Sequence, residues 1–135
     1  MDSGLSSKKR ILVIMHEDLV PPDSLRGVEE EESYKYRTEW HVTHTLKRTR
    51  HDVVKLGLRD EIAPPRRAVE ALQPHVVFNL LEEFAGEAVF DQHVVAYLEL
   101  LRQPYTACNP RGPTLARDKA LSKKILAYHR IPVPR

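Results

Sequence analysis

Ile11-Leu12-Val13-Ile14-Met15 places apolar side chains on five consecutive positions, the pattern of a strand buried on both faces. Similar short runs follow. Asp52–Leu58 carries Val53, Val54, Leu56 and Leu58, and His75-Val76-Val77-Phe78-Asn79-Leu80 makes a third strand. Pro104-Tyr105-Thr106-Ala107-Cys108 reads as a short fourth. Between them the period changes from strand to helix. A helix is predicted over 33–50, with Tyr36, Trp40, Thr43 and Leu46 on its inner side. Pro64-Pro65 opens a shorter one holding Ala68, Val69, Ala71 and Leu72, and Pro74 closes it. Val89, Phe90, His93, Val94, Tyr97, Leu98 and Leu101 recur on one helical side after a turn at Gly86. A last helix is predicted over 114–129. Pro21-Pro22-Asp23-Ser24 opens a long loop reaching Glu32.

Strand and helix thus alternate four times, which predicts an α/β fold: a three-layer α/β/α, Rossmann-like domain on a parallel sheet of about four strands. The domain is expected over 10–130, after a flexible N-terminal tail over 1–9. Ile131-Pro132-Val133-Pro134 is expected to be extended, because each proline drives its predecessor out of the helical region. Right-handed crossovers put the loops that follow the strands at one edge, where ligands bind in such sheets. His16–Pro22, Leu81–Glu87 and Asn109–Asp118 are those loops.

Composition narrows the class. At 135 residues, 41% apolar and 30% charged, the chain is sized for one soluble globular domain. Its longest strongly apolar run is far too short to span a bilayer, and no small-residue cleavage site follows it, so a cytoplasmic location and no membrane partner are expected. Cys108 stands alone, which excludes an internal disulfide. Net charge is +2, but unevenly placed: residues 102–135 hold eight Lys/Arg against one acid, leaving −5 for residues 1–101. A basic final quarter fits a local anion site or a solvated helix face. Nucleic acid is not an expected partner, because no aromatic residues interleave with the basic ones.

Neither GxGxxG nor GxxxxGK[ST] occurs, which speaks against a nicotinamide-binding enzyme and a P-loop NTPase. A receiver domain needs an aspartate at the end of the third strand, where Asn79-Leu80-Leu81 stands. His41 and His44 lie three apart on the first helix, and His16 ends the first strand; a wet helix face explains them better than a metal site, and none is assigned. Cys108 reads as a small core residue rather than a nucleophile. Glu82, Glu83 and Glu87 crowd the loop after the third strand, either as carboxylates for an amine or metal or as solvated acids at a helix start. Lys119, beside Arg117 in the first turns of the last helix, could reach a polyphosphate as a mobile point charge.

Those residues carry a resemblance. Asn79-Leu80-Leu81, Gly86-Glu87, Leu98-Glu99-Leu100-Leu101, Pro104-Tyr105-Thr106 and Asp118-Lys119-Ala120-Leu121-Ser122-Lys123-Lys124, ending in Ile131-Pro132-Val133-Pro134, are similar to the N-terminal, pre-ATP-grasp domain of D-alanine–D-alanine ligases. His51-Asp52-Val53-Val54 matches the entry into that family's second strand. The family belongs to the ATP-grasp carboxylate–amine ligases. The resemblance implies a parent enzyme that uses ATP and Mg2+ and joins a carboxylate to an amine through an acyl phosphate. Its ATP-grasp domains would follow residues 131–135, the start of a linker. This chain alone is expected to bind neither cofactor, to hold no catalytic residue and to be inactive.

By the same resemblance Lys119 faces nucleotide phosphates, while His16, Glu82, Glu83 and Glu87 line the substrate mouth. The family's loop reads His-Gly-x-x-Gly-Glu-x-Gly, and Glu82-Glu83 stands here in place of His-Gly. A substrate other than D-alanine is therefore expected, with an amine-bearing partner favoured by the extra acids. The resemblance is compatible with a homodimer. The competing reading is a stand-alone, non-catalytic α/β binding or interaction module.

Overall fold

A computed structural model describes residues 7–134. Three parallel strands, β1 (Arg10–His16), β2 (Asp52–Leu58) and β3 (Val76–Asn79), form a sheet in the order β2-β1-β3. In register, Ile11 stands beside Val53 and Val76, and Ile14 beside Leu56 and Asn79. The central strand is the one whose apolar run is unbroken, and Ile11–Met15 are all buried.

Alternation along β1 divides the core in two. Leu12 and Ile14 pack with Val77, Val94 and Leu98 under α3 (Ala63–Leu72) and α4 (Asp91–Leu100). Ile11, Val13 and Met15 face the other way, against Leu46 of α2 (Arg37–Arg48) and Phe78. Helices therefore cover both faces, as the alternation of elements predicts. The chain steps from β1 out to β2 on one side and then crosses back through α3 to β3 on the other, so the strand order reverses beside β1 and a crevice opens above the carboxyl ends of β1 and β3.

Three details differ from the sequence reading. The sheet has three strands. Pro104–Thr106 adds one bridge, in which Val77 donates to the Pro104 carbonyl at 2.8 Å and accepts from the Thr106 amide at 2.9 Å. Pro104 has no amide to extend the ladder, and positive φ at Arg102 and Ala107 turns the chain away on both sides. The first long helix is two, α1 (Glu30–Lys35) and α2, parted at Tyr36, so helix begins three residues earlier than expected. Its inner side is Tyr36, Glu39 and Thr43, with Trp40 and Leu46 only half-buried.

The last helix is also two, α5 (Arg111–Arg117) and α6 (Lys119–Tyr128). Asp118 leaves helical geometry (φ −94, ψ 89), and its carboxylate accepts from the Leu121 amide at 2.8 Å, capping α6. The turn at Gly86 forms as expected: Phe84 and Glu87 exchange backbone hydrogen bonds of 3.1 Å around Ala85 and Gly86, both at positive φ. Lys9 is fastened at the sheet's edge, its amide donating to His51 Nδ1 at 3.3 Å. The rest of the expected tail over 1–6, and Arg135 of the expected linker, lie outside the described residues.

Candidate functional site

The loops that the sequence marks all reach the carboxyl edge. After β1 the chain makes a 3-10 turn over Glu17–Leu19, started by His16, whose Nδ1 accepts from the Asp18 amide at 3.2 Å. Arg59, just beyond β2, ties this turn down through Glu17 and, at 2.9 Å, Asp18. Gly57 lets the turn lie on β2, since a Cβ there would stand 2.8 Å from both the Glu17 Cα and Val20 Cγ2. The loop after it is held by Asp23, which accepts 2.9 Å bonds from Lys47 and Lys55. Those bonds pull the Asp23 pKa down to about 2.

Above the crevice lies a cavity of about 390 Å³ lined by residues from several places in the chain, Ala107, Cys108 and Pro113 among them. Leu19 comes from the first loop, Lys35 and Glu39 from α1 and α2, Asn79–Glu82 from the end of β3, and Asp91 from the start of α4. A second cavity of about 460 Å³ lies beside Val89, Gln92, Thr114, Arg117 and Lys119. Pro113 borders both.

Arg117 stands between the two. Its Nη2 donates to Asp91 Oδ2 at 2.6 Å and to the Glu82 carbonyl at 2.9 Å. The hydrogen bond to Asp91 pushes the guanidinium pKa above its ordinary range, against the opposing pull of burial. Asp91 is 8% exposed, and its Oδ1 is buried with no hydrogen-bond partner. Glu39 is 7% exposed, and no hydrogen bond or ion pair reaches its carboxylate among the described residues. Two carboxylates thus meet the carboxyl-edge cavity, one unpaired and one paired through a single oxygen.

The sequence-predicted residues divide between these places. Lys119 is the first residue of α6, exposed on the larger cavity, and forms no ion pair among the described residues. Glu82 lines the smaller cavity. His16 and Glu83 come together, His16 Nε2 lying 3.4 Å from Glu83 Oε1. Glu87 is exposed and reaches neither cavity, its backbone serving the turn at Gly86. Cys108 is exposed and lines the smaller cavity, contrary to the expected core position. Its Sγ is pressed so close to Gly112 that a Cβ there would meet it at 2.3 Å. His44 stacks on Trp40 with ring centroids 4.5 Å apart, and among the described residues no three His, Cys, Asp or Glu gather as metal ligands. Among them, too, no helix is long and apolar enough to cross a membrane.

Glu39 and Asp91 are the residues that sequence reasoning missed. Both carried a signal. Glu39 falls three residues after Tyr36 and four before Thr43, on the inner stripe of its helix. Asp91 falls three before Val94 and four before Val95, likewise inside. An acid on a buried stripe is the informative exception to the apolar pattern.

The comparisons agree with the resemblance. The chain is 34% identical to a D-alanine–D-alanine ligase of Gluconobacter oxydans over 65% of its length and 28% of the relative's. To the ligase of Zymomonas mobilis it is 29% identical over 96% of its length and 36% of the relative's. An uncharacterized protein of Sinorhizobium fredii is 42% identical over 44% of the chain and 17% of the relative. The chain spans about a third or less of the length of the curated relatives it matches. No protein-family model matches it. No solved structure matches it. On the strength of its likeness to several ligases of this name, the chain is a D-alanine–D-alanine ligase-like domain.

Proposed function

We propose that this domain is the N-terminal, substrate-side part of an ATP-dependent ligase that joins a carboxylate to an amine other than D-alanine. The reading is carried by the likeness to D-alanine–D-alanine ligases over nearly the whole chain. The placement of Lys119 supports it: an exposed ammonium at the N-terminus of a ten-residue helix, where the helix dipole also favours anions. Next to it, across the Arg117 strut, lies the carboxylate-bearing cavity. ATP fits the first place through Lys119 alone. When bound, ATP supplies the phosphoryl group that activates the carboxylate. Magnesium ligands and the remaining phosphate contacts belong to the ATP-grasp part of the parent chain in this reading.

His16, Glu82 and Glu83 border the substrate side, with His16 and Glu83 acting as a pair. Glu87 has a turn-forming role instead. The test uses the full-length protein. Lys119→Ala is expected to weaken ATP binding by roughly tenfold or more, the worth of a charge-assisted contact. Unchanged affinity removes Lys119 from the site. Failure of the full-length protein to form ADP with any carboxylate–amine pair tested overturns the ligase reading itself.

A further inference from the structure

We propose that Arg117 is a positioning residue: it holds Lys119 at the larger cavity by fastening the end of α5 to Asp91 and to the Glu82 carbonyl, and does not itself contact the anion bound there. The inference rests on the ligase reading for the identity of that anion, ATP, and goes beyond it in the role given to Arg117.

Arg117 and Lys119 both line the larger cavity, and on charge alone either could meet a phosphate. Their surroundings set them apart. Lys119 forms no ion pair among the described residues. Arg117 is committed: Nη2 donates to Asp91 Oδ2 at 2.6 Å and to the Glu82 carbonyl at 2.9 Å, and Nε reaches the same Oδ2 at 3.3 Å. Asp91 makes that commitment hard to break. It is 8% exposed, and its Oδ1 is buried without a hydrogen-bond partner. An Arg117 that turned towards a phosphate would leave a buried carboxylate with no donor at either oxygen. Stranding one partner of a buried pair costs far more than an exposed ion pair returns. The buried acid therefore keeps its arginine.

The pair fixes two helices that little else fixes. Neither α5 nor α6 has a buried residue, so apolar packing does little to set their place. Among the described residues two side-chain ties join them to the rest of the domain. One is a surface bond from the Thr114 hydroxyl to the Gln92 side chain. The other is Arg117, and it alone reaches a buried group. Lys119 lies two residues further on. Between them Asp118 leaves helical geometry and caps α6 through the Leu121 amide at 2.8 Å. Arg117, Asp118 and Lys119 thus link the start of α4 to the start of α6, and a shift at Arg117 carries the ammonium with it.

The test is the affinity of the full-length protein for ATP with magnesium, measured by calorimetry at a temperature where every variant is folded. Asp91→Asn and Arg117→Met are each expected to weaken binding by up to about tenfold, the ceiling set by losing Lys119 itself. In a Lys119→Ala background neither should weaken it further, because both act through that ammonium. Leu98→Ala, which loosens the core without touching the pair, should bind ATP as the parent protein does. Tighter or unchanged binding in Asp91→Asn overturns the proposal, the tighter result marking Arg117 as a phosphate ligand that its partner holds back. An additive loss for Arg117→Met in the Lys119→Ala background, or an equal loss in Leu98→Ala, also overturns it. Amide exchange gives a readout that needs no nucleotide. In Asp91→Asn the Leu121 and Ser122 amides should exchange faster relative to those of β1, and an unchanged ratio overturns the proposal. A parent protein that binds no ATP sinks the ligase reading, and exchange alone then decides the role of Arg117.

Discussion

Replacing Arg117 by methionine removes the strut between the two cavities while keeping most of its apolar stem. Two donors leave the Asp91 carboxylate, and one leaves the Glu82 carbonyl. Asp91 is then buried with neither oxygen partnered, since Oδ1 has no donor to begin with. Breaking a buried ion pair from one side costs roughly 3–5 kcal/mol. The Arg117 side chain is 36% exposed, so water takes over part of its role, and the loss is discounted to about 2 kcal/mol. For a domain of this length that corresponds to roughly 6 °C in Tm, or about 1 M in the urea midpoint. The assay is urea unfolding followed by circular dichroism, with Asp91→Asn and the double variant completing a cycle. The double variant should lose little more than Arg117→Met alone, because both changes act on one contact. A loss under about 0.5 kcal/mol for Arg117→Met, of the size typical for exposed pairs, or full additivity in the double variant, would refute the reasoning.

Other changes probe other parts. Leu98→Ala should cost about 3 kcal/mol in urea unfolding, since Leu98 is fully buried against Leu12, Ile14 and Val94 and the cavity left behind cannot close. Gly57→Ala should cost about 1–3 kcal/mol and loosen the Glu17–Leu19 turn, seen as faster amide exchange there, because its Cβ would meet backbone at Glu17. Asp23 has a pKa of about 2 against an ordinary 3.8, so its stabilising contribution is present above pH 4 and lost as pH falls towards 2. Asp23→Asn should flatten that part of the stability–pH profile at low salt, most visibly in the protection of the loop before α1. Tyr105 has the opposite sign: burial and its bond to Glu99 raise its pKa to about 12, so its contribution is complete below pH 10 and lost towards 12. Ultraviolet titration of Tyr105→Phe against the parent protein should isolate that transition.

The layers of the fold were legible because Ile11–Met15 is apolar at every position and the neighbouring segments change period cleanly. What the pattern missed was decided by single residues. Asp118 has reasonable helix neighbours on both sides, so periodicity runs through it, while its carboxylate folds back to cap the next helix. Pro104-Tyr105-Thr106 has the composition of a strand, yet the missing Pro104 amide and the turns beside it confine it to one bridge. Legible in the sequence were the loops that reach the carboxyl edge and the position of Lys119 at the start of a helix, but not the acids that line the cavity. Acids were sought where they cluster in sequence, at Glu82, Glu83 and Glu87. The two that meet the cavity from inside, Glu39 and Asp91, lie 52 positions apart on different layers, and only the crossovers bring them together.

The single bridge at Tyr105 leaves the sheet with two unlike borders. On the β3 side, Val77 has both backbone groups occupied by Pro104 and Thr106, and the Asn79 amide is stopped by the Thr106 hydroxyl at 3.1 Å. A foreign strand finds nothing to pair with there. Along the β2 side no outward backbone pairing is made among the described residues, with Val54 42% exposed, Asp52 exposed at the strand's start and Lys55 tied back to Asp23. Any self-association by strand addition, and any aggregation on partial unfolding, should therefore begin along β2 and be suppressed by a second lysine at position 54.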